Sequence, residues 1–330
     1  MMEARPRMTD FTDPFLPAPL AAAVAEFESW MQGELLADQA RSIPRDPLYH
    51  YTSEAALRGI LEHQKLWCFI HNQQSDDREV RYSLEIVRRV IREEAARAEP
   101  SAESLLLGLD GILGSNSMGE TFEFYFFSLS RHRDDANQWD EYGDKEKGFA
   151  IGFSPALFQP DRRELSPRPH ENVFVSEVIY GRDATRTRHR RGVRKLAAIT
   201  RRVEQANRHL VQGRNLQVWF DDMNKAFIAA LLIWYCLTAK ADRFRGEQET
   251  RYIILGMREI FDSCRKTHTG RNYIETPLPL SGPGNITEIL VGPNAPQGAE
   301  AMVTYLLRSF GYPDGTPVTR SVVKSDHSPM

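Results

Sequence analysis

DPLYHYTSEAALRGILEHQKLW, residues 46–67, passes from one structural period to another within a few positions. A strand is predicted from Pro47 through YHYT, with His50 on the face opposite to Tyr49 and Tyr51 because strand side chains alternate. Thr52 or Ser53 then offers a hydroxyl to cap a helix over EAALRGILEH, accepting from a first-turn amide that otherwise lacks a partner. KLWCFI, residues 65–70, reads as a second short strand. A histidine so placed has two readings: a hydrogen-bonded core residue, or the floor of a binding site.

Working outward, LAAAVAEFESWMQGELLAD has apolar residues at helical spacing, and SIPRDP stops that helix ahead of the first strand. SLEIVRRVIREEAARAE and AESLLLGLDGIL are predicted helices, and FEFYFFSLS is dense enough in aromatics for a buried strand. DDANQWDEYG reads as a short polar helix or turn, GFAIGFS and NVFVSEVIYG as strands, and 183–240 as two long helical segments. QETRYIILGM, RNYIETPLPL and ITEILVGP follow as strands, then a helix AMVTYLLRSFG and a last strand TPVTRSVV. About nine short strands with helices between them in irregular order favour an α+β fold over a regular parallel βαβ array. The expected organisation is a leader and helix over 1–45, a main domain over 46–325 with a helical insertion at about 183–240, and a tail at 326–330.

Composition excludes several classes. With 330 residues, 41% hydrophobic and 26% charged, the chain can bury a sizeable core, and a net charge of -3 gives no global drive toward a polyanion. The longest apolar run, AFIAALLIWYCLTA at 226–239, is too short to span a bilayer and reads as a core helix, so no membrane partner is expected. Nothing in the first residues directs export, and three widely spaced cysteines without a C-x-x-C suit a reducing cytoplasm. The nine histidines show no paired ligand spacing, so no metal site is expected, and phosphate-loop, dinucleotide and hydrolase-elbow motifs are absent.

Three further stretches carry chemistry-bearing residues. Trp139 and Tyr142, three apart, share a helical face and can be packing or a stacking platform. In FRGEQETRYIIL, Glu247, Glu249 and Arg251 are expected on one side of a strand, with Gln248, Thr250 and Tyr252 on the other. Such a pair is either a solvated edge with an internal ion pair, or two carboxylates suited to a reaction passing through an oxocarbenium ion, one accepting from a ribose hydroxyl and one orienting the acceptor. The basic segment RDATRTRHRRGVRKLAAITRR, 182–202, is a solvated helix face, a partner for acidic groups elsewhere on the protein, or a nucleic-acid contact.

Taken in order, L-Y-H-Y-T-S, S-D-D-R-E, F-F-S-L-S, W-D-E-Y-G, G-F-A-I-G-F, E-Q-E-T-R-Y and N-Y-I-E-T-P-L resemble a bacterial family of uncharacterised proteins with an H-Y-T-S, N-D-P-x-E, W-x-x-Y and E-x-E-x-R signature, related to the ADP-ribosyltransferase superfamily. The resemblance spans about Leu48 to about Ser321, and departs at Ser75-Asp76-Asp77-Arg78-Glu79, which lacks the expected asparagine and proline. It implies split antiparallel sheets with NAD, as substrate, in the cleft between them. Carried over to this chain, it makes His50 the first-strand histidine that binds a ribose hydroxyl, Glu249 the catalytic carboxylate with Glu247 beside it, and Tyr142 and Trp139 candidates for the aromatic role. Thr52 and Ser53 at a helix N-terminus would donate to the pyrophosphate, with Tyr51 and Arg251 as further contacts.

The expected activity is NAD-dependent ADP-ribosyl transfer to protein or nucleic acid, in the manner of a toxin or an anti-phage effector. Three alternatives stand beside it: an NAD glycohydrolase, a non-catalytic nucleotide or nucleic-acid binding module using 182–202, and a metal-independent nuclease.

Overall fold

A computed structural model describes residues 13–70, 78–114, 122–158 and 173–323. Residues 1–12 of the leader, Ser75-Asp76-Asp77 of the departing motif and the tail at 326–330 lie outside them. The strands are β1 (Leu48–Thr52), β2 (Lys65–Ile70), β3 (Phe122–Ser130), β4 (Phe149–Phe153), β5 (Val173–Glu177), β6 (Ile179–Tyr180), β7 (Ala239–Lys240), β8 (Glu249–Met257), β9 (Lys266–His268), β10 (Arg271–Pro277), β11 (Ile286–Val291) and β12 (Val318–Arg320). The helices are α1 (Ala18–Ser42), α2 (Glu54–His63), α3 (Arg78–Ala95), α4 (Pro100–Gly114), α5 (Ala136–Glu141), α6 (Arg182–Ala206), α7 (Gly213–Phe227), α8 (Ile233–Leu237), α9 (Arg258–Phe261) and α10 (Ala299–Ser309). Ser53 is the cap of α2, its Oγ accepting from the amide of Ala56 at 3.4 Å.

The α+β class holds. Two compact units form, each from three separated segments: 1–40, 78–119 and 179–243 in one, and 41–77, 120–178 and 244–330 in the other. The predicted insertion is therefore one part of a helical unit that also takes in α1, α3 and α4. There α3 packs on α4, α6 and α8, while Phe27 of α1 stacks on Phe227 of α7 at 6.1 Å between ring centroids. The apolar run at 226–239 continues α7 through a π-helical stretch, Ile228–Leu232, into α8, and its side chains from Leu231 to Leu237 are buried. The predicted strand NVFVSEVIYG is divided at Val178: β5 joins the large sheet, whereas β6 pairs in parallel with β7 in the helical unit.

In the other unit ten strands form one sheet, antiparallel except where β11 meets β12. Its organising strand is β3. One edge of β3 pairs with β8 along the full length, from Phe122↔Met257 to Ser130↔Glu249. The other edge is shared: β2 holds Tyr125 and Phe126, and β1 meets it only at Tyr49↔Ser130. From there β1 leaves to pair with β4, and β2 leaves to pair with β10, so the sheet forks beside residues 127–129. The sheet is thus continuous through β3 rather than two separate antiparallel sheets.

Alternation assigns the two faces. Leu48 of β1, Leu66, Cys68 and Ile70 of β2, and Tyr125, Phe127 and Leu129 of β3 enter the main core, which α2 and α10 cover with Leu57, Leu61, Val303 and Leu306. On the opposite face Tyr49, Tyr51, Ala150 and Leu290 form a second cluster around Trp139 of α5. A turn after α5 places Asp144, Lys145 and Glu146 in the left-handed region (φ 51°, 52° and 68°), which costs about 1–2 kcal/mol per non-glycine residue. Backbone bonds offset that cost: the amide of Glu146 donates to Trp139 O at 3.1 Å, that of Asn294 to Glu146 O at 3.0 Å, and that of Gly148 to Gly143 O at 2.8 Å. Cβ atoms at Gly148 and Gly292 would collide with the Thr52 and Glu146 carbonyl oxygens, so both approaches require glycine.

Candidate functional site at the fork of the sheet

At the fork the edge of β3 away from β8 has no ladder partner at residues 127–129, and a backbone carbonyl there needs another donor. His50 supplies it: Nδ1 lies 3.1 Å from Ser128 O, and the ring packs on Phe127 at 4.1 Å between centroids. A carbonyl can only accept, so Nδ1 carries the proton and Nε2 presents a lone pair. Burial pushes the pKa of His50 down to about 4, against a smaller opposing effect of the Ser128 bond, so the ring is neutral at pH 7.

Ser128 also reaches the other way. Its Oγ donates to Glu249 Oε1 at 2.6 Å, and Arg251 closes on the same carboxylate with Nε to Oε1 at 2.9 Å and Nη2 to Oε2 at 3.1 Å. Glu249 and Arg251 are 6% and 1% exposed, and the guanidinium sits 4.8 Å from the Phe126 ring centroid. His50 and Glu249 thus meet at one residue from opposite sides. His50 shares its face with Ile151 and the main core, whereas the pairing Tyr49↔Ser130↔Glu249 puts the glutamate on the tyrosine face.

Glu247 is not on the strand beside Glu249, as expected from alternation. It ends a 3₁₀ helix, Asp242–Glu247, and Gln248 at φ 43° breaks the extended backbone before β8 begins. Ser130 Oγ fixes this corner by donating to Glu247 O at 2.8 Å, and Tyr142 OH donates to Glu247 Oε1 at 3.1 Å. Thr250 and Tyr252 do face away from Glu249, into the main-core side.

Trp139 and Tyr142 do not share an exposed helical face. Tyr142 is the C-terminal cap of α5 and is 42% exposed, while Trp139 is fully buried, edge-on to Tyr51 at 4.8 Å, with Nε1 donating to Asp134 Oδ1 at 2.6 Å. Tyr51 is buried too, its OH donating to His132 O at 2.9 Å and accepting from the Asp135 amide, and burial raises its pKa. Thr52 is 6% exposed, and Ser53 Oγ accepts from the Ala56 amide as the cap of α2. Of the nine residues singled out from sequence, Glu249 pairs with Arg251, Tyr142 bonds Glu247 at the corner before β8, His50 meets Glu249 through Ser128, Ser53 caps α2, and Tyr51, Thr52 and Trp139 are buried.

Ser128 was missed. Its signal lies in FEFYFFSLS, where Phe124 and Phe126 at alternate positions give way to Ser128 and Ser130. Also unforeseen is the bidentate pairing of Arg133 with Glu288 at 2.8 and 2.7 Å, to which Tyr49 OH donates at 2.8 Å; burial, reinforced by this carboxylate, raises the Tyr49 pKa to about 12.

The basic segment 182–202 finds acids within its own unit. Arg186 and Arg190 pair with Glu93, Arg194 with Glu94 at 2.9 Å, Arg191 with Glu34 at 2.7 Å, and Arg188 with Asp38. Of the readings open for it, internal pairing accounts for these cations. Among the described residues no group of histidine, cysteine and carboxylate side chains is suited to hold a metal, and no helix is long and apolar enough to cross a membrane.

The fold and site define an α+β protein with a forked sheet and a serine-bridged histidine and glutamate. Residues 138–252, about a third of the chain, match the family model described as Protein of unknown function (DUF2971). That match contains Tyr142, Glu247, Glu249 and Arg251 but neither His50 nor Ser128. No curated protein and no solved structure matches the chain.

Proposed function

We propose that the chain is an NAD-dependent ADP-ribosyltransferase whose reaction centre is the fork between β1 and β2. The observation that carries the reading is that His50 and Glu249, set on opposite faces of the sheet, both bond Ser128 at the gap between β1 and β2, where a ribose entering the gap would reach each of them. A neutral imidazole with Nδ1 committed to a carbonyl leaves Nε2 to accept from a ribose hydroxyl, which orients the sugar without adding positive charge near the cationic nicotinamide. The Glu249 carboxylate, oriented by Ser128 and Arg251, offsets the positive charge that develops on the ribose as its bond to nicotinamide breaks. Nicotinamide leaves with the bonding pair, the acceptor forms the new bond at the same carbon, and its proton passes to solvent or to Glu247. Tyr142, exposed and bonded to Glu247, is the ring placed to contact the leaving group or the acceptor.

A second reading, nucleotide binding without turnover, is favoured by the burial of Glu249 and by its engagement with Arg251 through both oxygens. Purified protein incubated with NAD labelled in the adenosine half, with and without cell lysate, separates the two. The transferase reading expects nicotinamide release and label on a macromolecule, with Glu249→Gln at least about 100-fold slower. Free ADP-ribose without labelled macromolecule would mark a glycohydrolase. Saturable NAD binding with no release in folded protein would leave the binding module.

A further inference from the structure

The arm of the sheet formed by β2, β10 and β9 uses one face for the core and leaves an unusual set of side chains on the other. Leu66, Cys68, Ile70 and Ile274 point into the main core. On the opposite face, cross-strand pairing aligns Trp67 and Phe69 with Tyr273, Lys266, His268 and Arg271. Trp67 stacks on Tyr273 at 4.4 Å and 27°, Phe69 lies 5.8 Å from the same ring, and His268 meets the Trp67 edge at 5.2 Å. Trp67 and Phe69 are half-buried and His268 is exposed, so the tract keeps aromatic surface open to solvent. A two-residue turn, Thr269 and Gly270 at φ 47° and 78°, joins β9 to β10 and holds the cations in register with the rings.

The charge on this face is positive although the whole chain is acidic. Lys65 and Lys266 converge on a single acid, Glu275, at 2.8 and 2.9 Å. Arg271 places its guanidinium 4.6 Å from the Phe69 ring centroid, and its Nε is buried without a partner among the described residues. Cross-strand aromatic pairs alone would account for added sheet stability. They do not account for the gathering of Lys65, Lys266 and Arg271 around the rings with Glu275 as the acid.

We propose that this face binds single-stranded nucleic acid, with unstacked bases on Trp67 and Phe69 and phosphates at Lys266 and Arg271. Every base has a π-face, so stacking on rings flanked by cations tolerates sequence but requires bases that are not already paired in a duplex. An acidic peptide would use the cations and leave the rings without a role. The inference is independent of the transferase reading, because binding is read without NAD.

Full-length protein is titrated against a fluorescent oligonucleotide of about 12 nucleotides, single-stranded or as a duplex, at about 50 mM salt, by anisotropy. Tighter binding of the single strand is expected. Trp67→Ala should weaken it about 10-fold, Trp67→Phe should recover most of the loss, and Lys266→Gln should lower the salt slope by about 1. Arg191→Gln on α6 should leave the affinity unchanged. Equal binding of duplex, unchanged affinity on both Arg271→Gln and Lys266→Gln, or no binding at this salt would each overturn the proposal. Should Trp67→Ala fail to fold by circular dichroism, the two surface variants decide it.

Discussion

Ser128 holds two candidate groups from one Cα position, its carbonyl fixing His50 and its hydroxyl fixing Glu249. Glu249 in turn is the counter-charge of Arg251, which is 1% exposed. Truncating one member of such a pair strands a buried charge, so Glu249→Ala is expected to cost about 3–5 kcal/mol in urea unfolding. Glu249→Ala with Arg251→Met should recover most of that, because the stranded charge is gone; additive losses would count against the buried pair. A second residue-scale expectation concerns His189, fully buried, with Nε2 2.8 Å from Ser83 Oγ and Nδ1 without a partner among the described residues. Burial pushes its pKa down to about 3, so the unfolded chain binds the proton first as pH falls below about 6.5. The contribution of His189 is complete above that pH and falls by about 1.4 kcal/mol per pH unit toward pH 4, beside a parallel contribution from His50, so His189→Gln should show a shallower fall than wild type. Single residues were partly legible in the sequence. Alternation correctly opposed His50 to its tyrosines, but it could not show that Glu249 lies on the tyrosine side, since that depends on β1 and β8 flanking the same strand.

At the scale of elements, the strands and helices with strong periodicity appear where the sequence places them, including β2, β3, β4 and α10. The failures are at corners. Gln248 in the left-handed region is invisible to alternation, which extends β8 back to Glu247, a residue that belongs to the turn before it. Trp139 and Tyr142 were paired by spacing, yet α5 ends at Glu141 and the chain turns left-handed from Asp144. That turn yields an opposed pair of predictions. Lys145→Gly relieves a strained backbone at an exposed position and should raise the free energy of unfolding by about 1 kcal/mol. Gly148→Ala drives a methyl into the Thr52 carbonyl and should lower it, by about 2 kcal/mol or more, with loss of near-ultraviolet dichroism from the Trp139 cluster.

Across the whole molecule, each unit is assembled from three stretches of chain that are remote in sequence, and this is the part that local patterns could not reveal. Helical spacing identified α1, α3, α4 and α6 one by one, but nothing in a single helix names its neighbour. The acids that neutralise α6 come from α1 and α3. Deleting residues 1–40 removes Phe27 from its stack on Phe227, and Asp38 from Arg188 and Trp234. The shortened chain is expected to lose helical dichroism in one early thermal step; retention of the full signal to the wild-type midpoint would show α1 to be dispensable. The same segmentation bears on synthesis at the ribosome. β2 emerges about 200 residues before β10, which pairs with it from Lys65 to Phe69, and at about 5–20 residues per second this leaves KLWCFI waiting roughly 10–40 s for that ladder. During that interval its apolar face and open backbone are exposed to proteases and chaperones, so the yield of folded protein depends on how the nascent chain is sheltered as well as on the final stability of the sheet.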